Sequence, residues 1–304
     1  MKQQKHLSTK AFFFSFTLSL AVLGILSAGI LFLTNFFESE NALPQSAAET
    51  PEYQPTEEDG LTILAMGSKD DITPPDRYML IRFEPEEGVI RLIPVPKELE
   101  ATVNIKTGTL PQLYDYGGVQ MVCDAVRNVF SVKVDRYMKY NDQEFADLVD
   151  LFGGVECEVE QTVEYTSESG ETVRLVKGVQ LLSGKKLTEY FKSPLFTEQT
   201  RDECFERRAE IACSAIEQKL VDSIAPRADS LFEAICNLMQ TNLNNYDYSI
   251  RKEAIGYIAG SSGEKAEYAL IDGDYKEDER DECTFTPSPK GKQTVQAWLE
   301  PLEE

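Results

Sequence analysis

Hydrophobic and polar positions in residues 114–159, YDYGGVQMVCDAVRNVFSVKVDRYMKYNDQEFADLVDLFGGVECEV, follow two periods in turn, punctuated by two Gly-Gly pairs. Val119, Val122, Cys123, Val126, Val129 and Phe130 recur at helical spacing directly after Gly117-Gly118, which predicts a helix with one apolar stripe. Val132, Val134 and Arg136 with their neighbours predict a strand. Asn141-Asp142-Gln143-Glu144 has the form of a capping box, and Phe145, Leu148, Val149 and Phe152 then share one helical face until Gly153-Gly154 ends it. Val155, Cys157 and Val159 alternate with Glu156, Glu158 and Glu160, the pattern of a half-buried strand.

Upstream, residues 61–66 (LTILAM) form a short apolar run that predicts a buried strand opening into a loop at Gly67-Ser68. Residues 78–83 (YMLIRF) and 89–95 (VIRLIPV) flank the turn-like EPEEG and predict a hairpin. Downstream, 161–174 and 175–179 read as a second hairpin with a polar tip at Ser167–Gly170, and a helix starts near Ser183-Gly184. A longer helix spans 202–223, with Phe205, Ala209, Cys213, Ile216 and Leu220 on one face, and Pro226 opens another that runs to Met239. Strands mixed with helices long enough to cover a sheet predict an α/β fold, a mixed central sheet sandwiched by helices. Residues 243–304 carry a weaker apolar pattern and either complete the sheet edge or form a small appendage.

The N-terminal region has a different character. Residues 11–37 carry no charge and are rich in Phe, Leu, Ile and Ala, and roughly 20 such residues span a bilayer. A cleaved signal has an apolar region of only about 7–15 residues, so the run predicts an uncleaved transmembrane helix. Lys2, Lys5 and Lys10 precede it while Glu38 and Glu40 follow, which puts the 1–10 tail in the cytoplasm and the remainder outside the cell. Residues 38–60, with Pro44, Pro51, Pro55 and many Glu, Ser and Ala, read as a disordered acidic linker between this anchor and a domain at 61–242.

Composition narrows the chemistry. The chain has 304 residues, with 30 Lys and Arg against 52 Asp and Glu, a formal charge of −22 that argues against nucleic acid as a partner. His6, the only histidine, falls on the cytoplasmic tail, and no Cys-x-x-Cys pair occurs, so a zinc site or a histidine-based catalytic arrangement is excluded from the outer domain. Cys123, Cys157, Cys213 and Cys236 sit on apolar faces and read as buried thiols, although six cysteines leave many pairings open. The acidic run 277–282 (EDERDE) lacks the alternating spacing of a calcium loop and reads as a solvated turn.

The order of segments resembles the LytR-CpsA-Psr family of membrane-anchored envelope proteins: the anchor, LTILAMGS, DRYMLIRFEPEEGVIRLIPVPKE, YDYGGVQMVCDAVRNVF, FADLVDLFGGVECEV, then GVQLLSGKKLTEY and a helix bearing Arg207-Arg208. The resemblance covers about 60–240 and implies a phosphotransferase that moves a glycopolymer from a polyprenyl pyrophosphate carrier to a peptidoglycan hydroxyl. Such chemistry needs cations around the diphosphate, a carboxylate to hold Mg²⁺ or accept a proton, and an apolar channel for the lipid.

The chain departs from the family at the charged positions. Where the family has Arg-x-Asp-Thr, Pro74-Pro75-Asp76-Arg77 keeps Asp76 and a displaced Arg77. Pro96-Lys97-Glu98 replaces Pro-Arg-Asp, exchanging a planar fork for a point charge. Thr109-Leu110-Pro111 stands where the family has Lys-Ile-Asn. Lys192 is what remains of Arg-x-Arg, and on the following helix Asp202 and Arg208 remain while the inner arginine is Phe205. The resemblance thus nominates Asp76 and Glu98 as catalytic and Mg²⁺-binding carboxylates, with Arg77, Lys97, Lys192 and Arg208 as pyrophosphate ligands. An aspartate after two prolines also caps turns, and Arg207-Arg208 lie among Glu203, Glu206 and Glu210, where surface pairing is ordinary. Loss of several arginines favours a protein of envelope assembly that binds polyprenyl pyrophosphate-linked glycopolymer with a thinned, inactive site; the alternative is an active transferase to peptidoglycan.

Overall fold

The computed structural model describes residues 53–167, 170–277, 279 and 282–300. The anchor expected at 11–37, the 1–10 tail and most of the 38–60 linker lie outside these residues. Among the described residues, no helix is long and apolar enough to cross a membrane. In chain order the elements are β1 (Leu61–Ser68), β2 (Arg77–Glu84), β3 (Val89–Val95), β4 (Ala101–Val103), β5 (Lys106–Gly108), α1 (Leu110–Phe130), β6 (Arg136–Asn141), α2 (Asp142–Leu151) and β7 (Val155–Val159). Then come β8 (Val163–Thr166), β9 (Thr172–Leu175), β10 (Gly178–Leu182), α3 (Gly184–Lys192), α4 (Pro194–Thr197), α5 (Arg201–Lys219), α6 (Ala228–Leu238) and β11 (Gln240–Thr241). The last are α7 (Asn245–Gly260), β12 (Ala266–Tyr268), β13 (Gly273–Glu277), β14 (Cys283–Pro287) and α8 (Pro289–Trp298).

The main sheet has the order β11-β6-β1-β2-β3-β12. It is mixed: β1 pairs parallel with β6 and β3 with β12, while β1–β2, β2–β3 and β6–β11 are antiparallel. Strand alternation sends Leu64, Met66, Leu80 and Ile93 into a core shared with Val122, Val126 and Phe130 of α1 and Val295 of α8. The opposite face, with Ala65, Met79, Ile81 and Met138, looks toward α2, α3 and α5, behind which Val149, Cys157, Leu187, Tyr190 and Ile211 form a second core.

Several elements differ in extent from the sequence reading, each for a local reason. The helix expected after Gly117-Gly118 begins earlier, at Leu110, because Thr109 and Gln112 close a capping box and Pro111 fits the first turn. Gly117 and Gly118 interrupt it, and Gly118 has φ 61°, a conformation that favours glycine. The strand expected from Val132 starts at Arg136. β8 and β9 pair as a hairpin around the expected tip at 167–170, while the stretch expected to extend it to Val179 runs instead into β10, which pairs with β7. Pro226 lies in a 3₁₀ turn ahead of α6. Residues beyond 242 contribute β12 to the sheet edge and Phe285 to the core, and Leu99 bridges to Phe285.

All six cysteines are free thiols. Burial pushes Cys123 and Cys157 up to about 11, which keeps both protonated and unreactive at neutral pH. Gly184, the first residue of α3, rests against α2 so closely that a Cβ there would meet the Ala146 carbonyl oxygen at 1.9 Å.

Asp247, buried in the first turn of α7, ties that helix to β6. Its two oxygens accept from Arg136 Nε and Nη2, each at 2.7 Å, and Oδ2 also accepts from the Asn244 N–H at 3.1 Å. Burial opposes ionisation of Asp247, but the Arg136 and Asn244 bonds outweigh it and lower its pKa. The associated stability is therefore complete above the ordinary carboxylate pKa of about 3.9 and is lost as the pH falls through the lowered folded value. Asp247→Asn is expected to cost about 2–3 kcal/mol at pH 7. Urea melts should show that deficit narrowing at pH 3, where wild type starts to lose the same contribution. Gly184→Ala is expected to destabilise by about 1–3 kcal/mol in the same assay, because the obstructing atom is backbone.

Candidate functional site

Between the sheet and α2, α3 and α5 runs a groove of about 380 Å³, within the range of small-molecule sites. Its walls include Ala65, Met79, Ile81, Pro94 and Met138 from the sheet, Phe145 and Leu148 from α2, Phe152 directly after α2, and Phe191 from α3. On α5 the lining residues are Phe205, Arg208, Ile211, Ala212, Ala215 and Lys219, which recur at intervals of three and four along one side of the helix. From Arg208 to Lys219 the groove follows α5 for about 16 Å at 1.5 Å per residue.

One end of this apolar groove is charged. Asp76, Arg77 and Arg208 line it, with Tyr140 beside them. Gly67 lies opposite both Arg77 on β2 and Tyr140 on β6, and a Cβ there would approach Arg77 Nε and the Tyr140 ring at 3.0 Å each. Arg77 is held on several sides. Its Nη1 is 2.6 Å from Asp142 Oδ1, its Nε is 3.2 Å from Asp76 Oδ1, and its Nη2 donates to the Ser68 carbonyl. Burial would depress the Arg77 pKa, but Asp142, Tyr140 and Asp76 together raise it.

Arg208 has a different setting. Its guanidinium lies 5.9 Å from the ring centres of both Phe191 and Phe196, and its Nε has no hydrogen-bond partner among the described residues. Burial lowers its pKa; Cys204 and Asp76 oppose the shift and the like charge of Arg77 adds to it. The rings are part of a longer aromatic series, with Tyr140 stacked on Phe145 at 5.8 Å, Phe145 against Phe191 at 6.1 Å, and Phe191 edge-on to Phe196 at 5.2 Å.

The other nominated residues occupy distinct places. Lys192, at the end of α3, pairs with Asp142 Oδ2 at 2.7 Å and so is linked through that carboxylate to Arg77. Glu98 and Lys97 follow β3 at the same end of the sheet, outside the groove lining. Glu98 lies 3.8 Å from Arg201, whose guanidinium covers the Tyr275 ring at 4.8 Å, and Lys97 is exposed. Asp76 is half-exposed, with 49% of its side chain accessible. Among the described residues, no group of three or more His, Cys, Asp or Glu gathers as a metal site. A single accessible carboxylate suits Mg²⁺ only where a substrate's phosphates supply further ligands.

Three contributors were not singled out as site residues in the sequence. Asp142 belongs to a capping box, a structural signature that concealed its second role. Arg201 precedes the helix residues used for the resemblance. Tyr140 was one aromatic in a strand. The groove face of α5 shares Phe205 with the expected stripe but is otherwise rotated from Ala209, Cys213, Ile216 and Leu220, because α5 packs on two sides.

A groove whose walls are mostly apolar, with Arg77 and Arg208 together at one end and Lys219 toward the other, suits an amphiphile with an anionic head. The sequence pattern of the LytR_cpsA_psr family matches residues 31–254, and the chain belongs to this family. It is similar to the polyisoprenyl-teichoic acid–peptidoglycan teichoic acid transferases TagU of Halalkalibacterium halodurans, 25% identical over 174 residues, and of Bacillus subtilis, 24% identical over 210. Those alignments cover 55% and 66% of this chain and the same shares of the relatives, so the chain spans less than two thirds of their length. Solved structures share the fold. One from Eubacterium siraeum gives a TM-score of 0.72 at 18% identity, covering 83% of this chain and 96% of that one. B. subtilis TagV gives 0.66 at 16% identity, covering 80% and 96%, and TagT bound to LI-WTA gives 0.60 at 18%, covering 82% and 92%.

Arg208 is a half-buried cation with no ion pair among the described residues and a second cation nearby, and such a group destabilises a fold unless an anion joins it. Arg208→Met, which fills the same space without charge, is expected to raise stability by about 1–2 kcal/mol in chemical denaturation. Loss of stability in this variant would show that the aromatic contacts of the guanidinium outweigh its desolvation.

Proposed function

We propose that this protein takes part in cell-envelope assembly by holding a polyprenyl pyrophosphate-linked glycopolymer, with the lipid in the groove and the diphosphate at Arg77, Arg208 and Lys192. The observation that carries this is the continuity between an apolar groove and the half-buried Arg208 at its charged end, which has no ion pair among the described residues. Family membership and the named substrates of the TagU relatives support the choice of amphiphile. The uncharged run 11–37 anchors the chain in the membrane once, with the N-terminus cytoplasmic and the domain at 61–242 outside the cell, beside peptidoglycan as acceptor.

The site is thinned relative to a transferase. Lys97 presents a point charge in place of a planar fork, and Glu98 is engaged by Arg201. Holding, with little or no transfer, is the reading these features support best. Transfer to peptidoglycan is the second reading, and the accessibility of the Asp76 carboxylate favours it. Asp76 would hold Mg²⁺ together with the phosphates, and the ion would neutralise charge on the diphosphate during transfer. Arg77 and Arg208 would orient the diphosphate, and the groove would exclude water.

The full chain in phospholipid nanodiscs is expected to bind farnesyl diphosphate, with affinity falling as salt rises because the head is held by charge. Farnesol should bind at least tenfold more weakly, and Arg208→Met should lower farnesyl diphosphate affinity at least tenfold by titration calorimetry. Equal binding of farnesol and its diphosphate would remove the cationic end from the site. With polyprenyl diphosphate-linked glycan, peptidoglycan and Mg²⁺, turnover should be slight and absent in Asp76→Asn; equal turnover in both would exclude Asp76 from the second reading.

A further inference from the structure

Asp142 occupies the position between two of the cations that the diphosphate needs. Its Oδ1 is 2.6 Å from Arg77 Nη1 and its Oδ2 is 2.7 Å from Lys192 Nζ, while only 13% of its side chain is accessible. It is fixed from behind. It is the first residue of α2, next to Asn141, whose side chain accepts from the Glu144 N–H at 2.9 Å and donates to Asp71 at 2.8 Å. Asp76 adds a second carboxylate against Arg77. Of the three cations assigned to the diphosphate, Arg77 and Lys192 are therefore already neutralised within the protein, and Arg208 makes no ion pair among the described residues.

An aspartate in the first turn of a helix normally faces the helix N-terminus and solvent, where negative charge is favoured. Here both oxygens turn to side chains from β2 and α3, so that Lys192, outside the groove lining, is linked through Asp142 to Arg77, which lines its charged end. An incoming diphosphate must take Arg77 and Lys192 from Asp142 and then lie beside a like charge, which disfavours it.

We propose that Asp142 is a specificity-determining residue, an internal anion that competes with the diphosphate for Arg77 and Lys192 and makes binding of the head conditional on a lipid tail in the groove. This rests on the reading of the groove as a polyprenyl diphosphate site. A free diphosphate gains nothing from the apolar walls and does not displace the carboxylate. A prenylated one adds burial of its tail and does.

Inorganic diphosphate and farnesyl diphosphate, titrated separately into the full chain in nanodiscs, test this with Asp142→Asn, Asp142→Ser and Asp142→Glu. Wild type is expected to bind farnesyl diphosphate and to bind inorganic diphosphate at least a hundredfold more weakly. Either neutral variant should gain about tenfold or more for inorganic diphosphate, whereas Asp142→Glu should keep the wild-type discrimination, and farnesol binding should be the same in all four proteins. Two neutral variants guard against misfolding of one, which thermal melts will reveal. Unchanged or weaker inorganic diphosphate binding in the folded neutral variants would overturn the proposal and leave Asp142 as a support for the cations. A gain for inorganic diphosphate in proteins that bind no farnesyl diphosphate would uphold the internal anion and reject the lipid-site reading. Absence of binding by either probe in every protein would overturn both.

Discussion

Gly67 has no side chain, and the charged end of the groove is built in the space this leaves. The residue sits in the central strand of the sheet, opposite Arg77 on one neighbour and Tyr140 on the other. Because β1 is antiparallel to β2 and parallel to β6, the start of β2 and the end of β6 meet at this point. Ser68, one step on, pairs with Asn141 and receives Arg77 at its carbonyl. From that register follow the placement of the first turn of α2, the reach of Asp142 to Arg77, and through Asp142 the capture of Lys192 from α3. A slip of one residue in either ladder would exchange the faces of the strand and disperse these groups.

The electrostatics of the groove run against those of the whole. A chain with formal charge −22 keeps a small cationic region where three separate elements converge. Two of the cations are matched by carboxylates at ion-pair distance, and the third relies on aromatic faces at 5.9 Å, which offset only part of its desolvation. This graded neutralisation explains why residues on one short stretch of surface have opposite pKa tendencies: Arg77 shifts up against its carboxylates, Arg208 shifts down under burial. If Arg208 holds a diphosphate as proposed, stability and ligand binding place opposing demands on it.

Much of the frame was legible in the chain. The apolar run 61–66 and the turn-like EPEEG between 78–83 and 89–95 marked strands of the main sheet, and the capping box at 141–144 and Gly153-Gly154 marked both ends of α2, because these signals are local. Element extents went astray where capping competed with periodicity, as at Leu110, or where strand pairing is decided by distant partners, as for β7 and β10. The charged positions were partly legible by resemblance, since Asp76, Arg77 and Arg208 do line one groove. Asp142 and Arg201 were not, because an ion pair across elements leaves no periodic trace and a helix cap already accounts for an acidic residue at that position. The rotation of α5 was hidden for a related reason: a helix that covers a sheet on one side and a cavity on another has no single apolar stripe.

The sheet closes late. Its β3 edge is covered by β12 at Ala266–Tyr268, and Phe285 and Val295 enter the principal core from further still along the chain. The family pattern ends at 254, ahead of all three. A polypeptide that emerges from its N-terminus first must therefore keep β1, β2 and β3 waiting with an unpaired edge and an unfilled core until the final fifth of its length has appeared, a delay characteristic of folds dominated by distant contacts. The charged residues at the end of the β2–β3 hairpin, Glu84, Glu86, Glu87 and Arg91, are placed to discourage that waiting edge from pairing with another molecule.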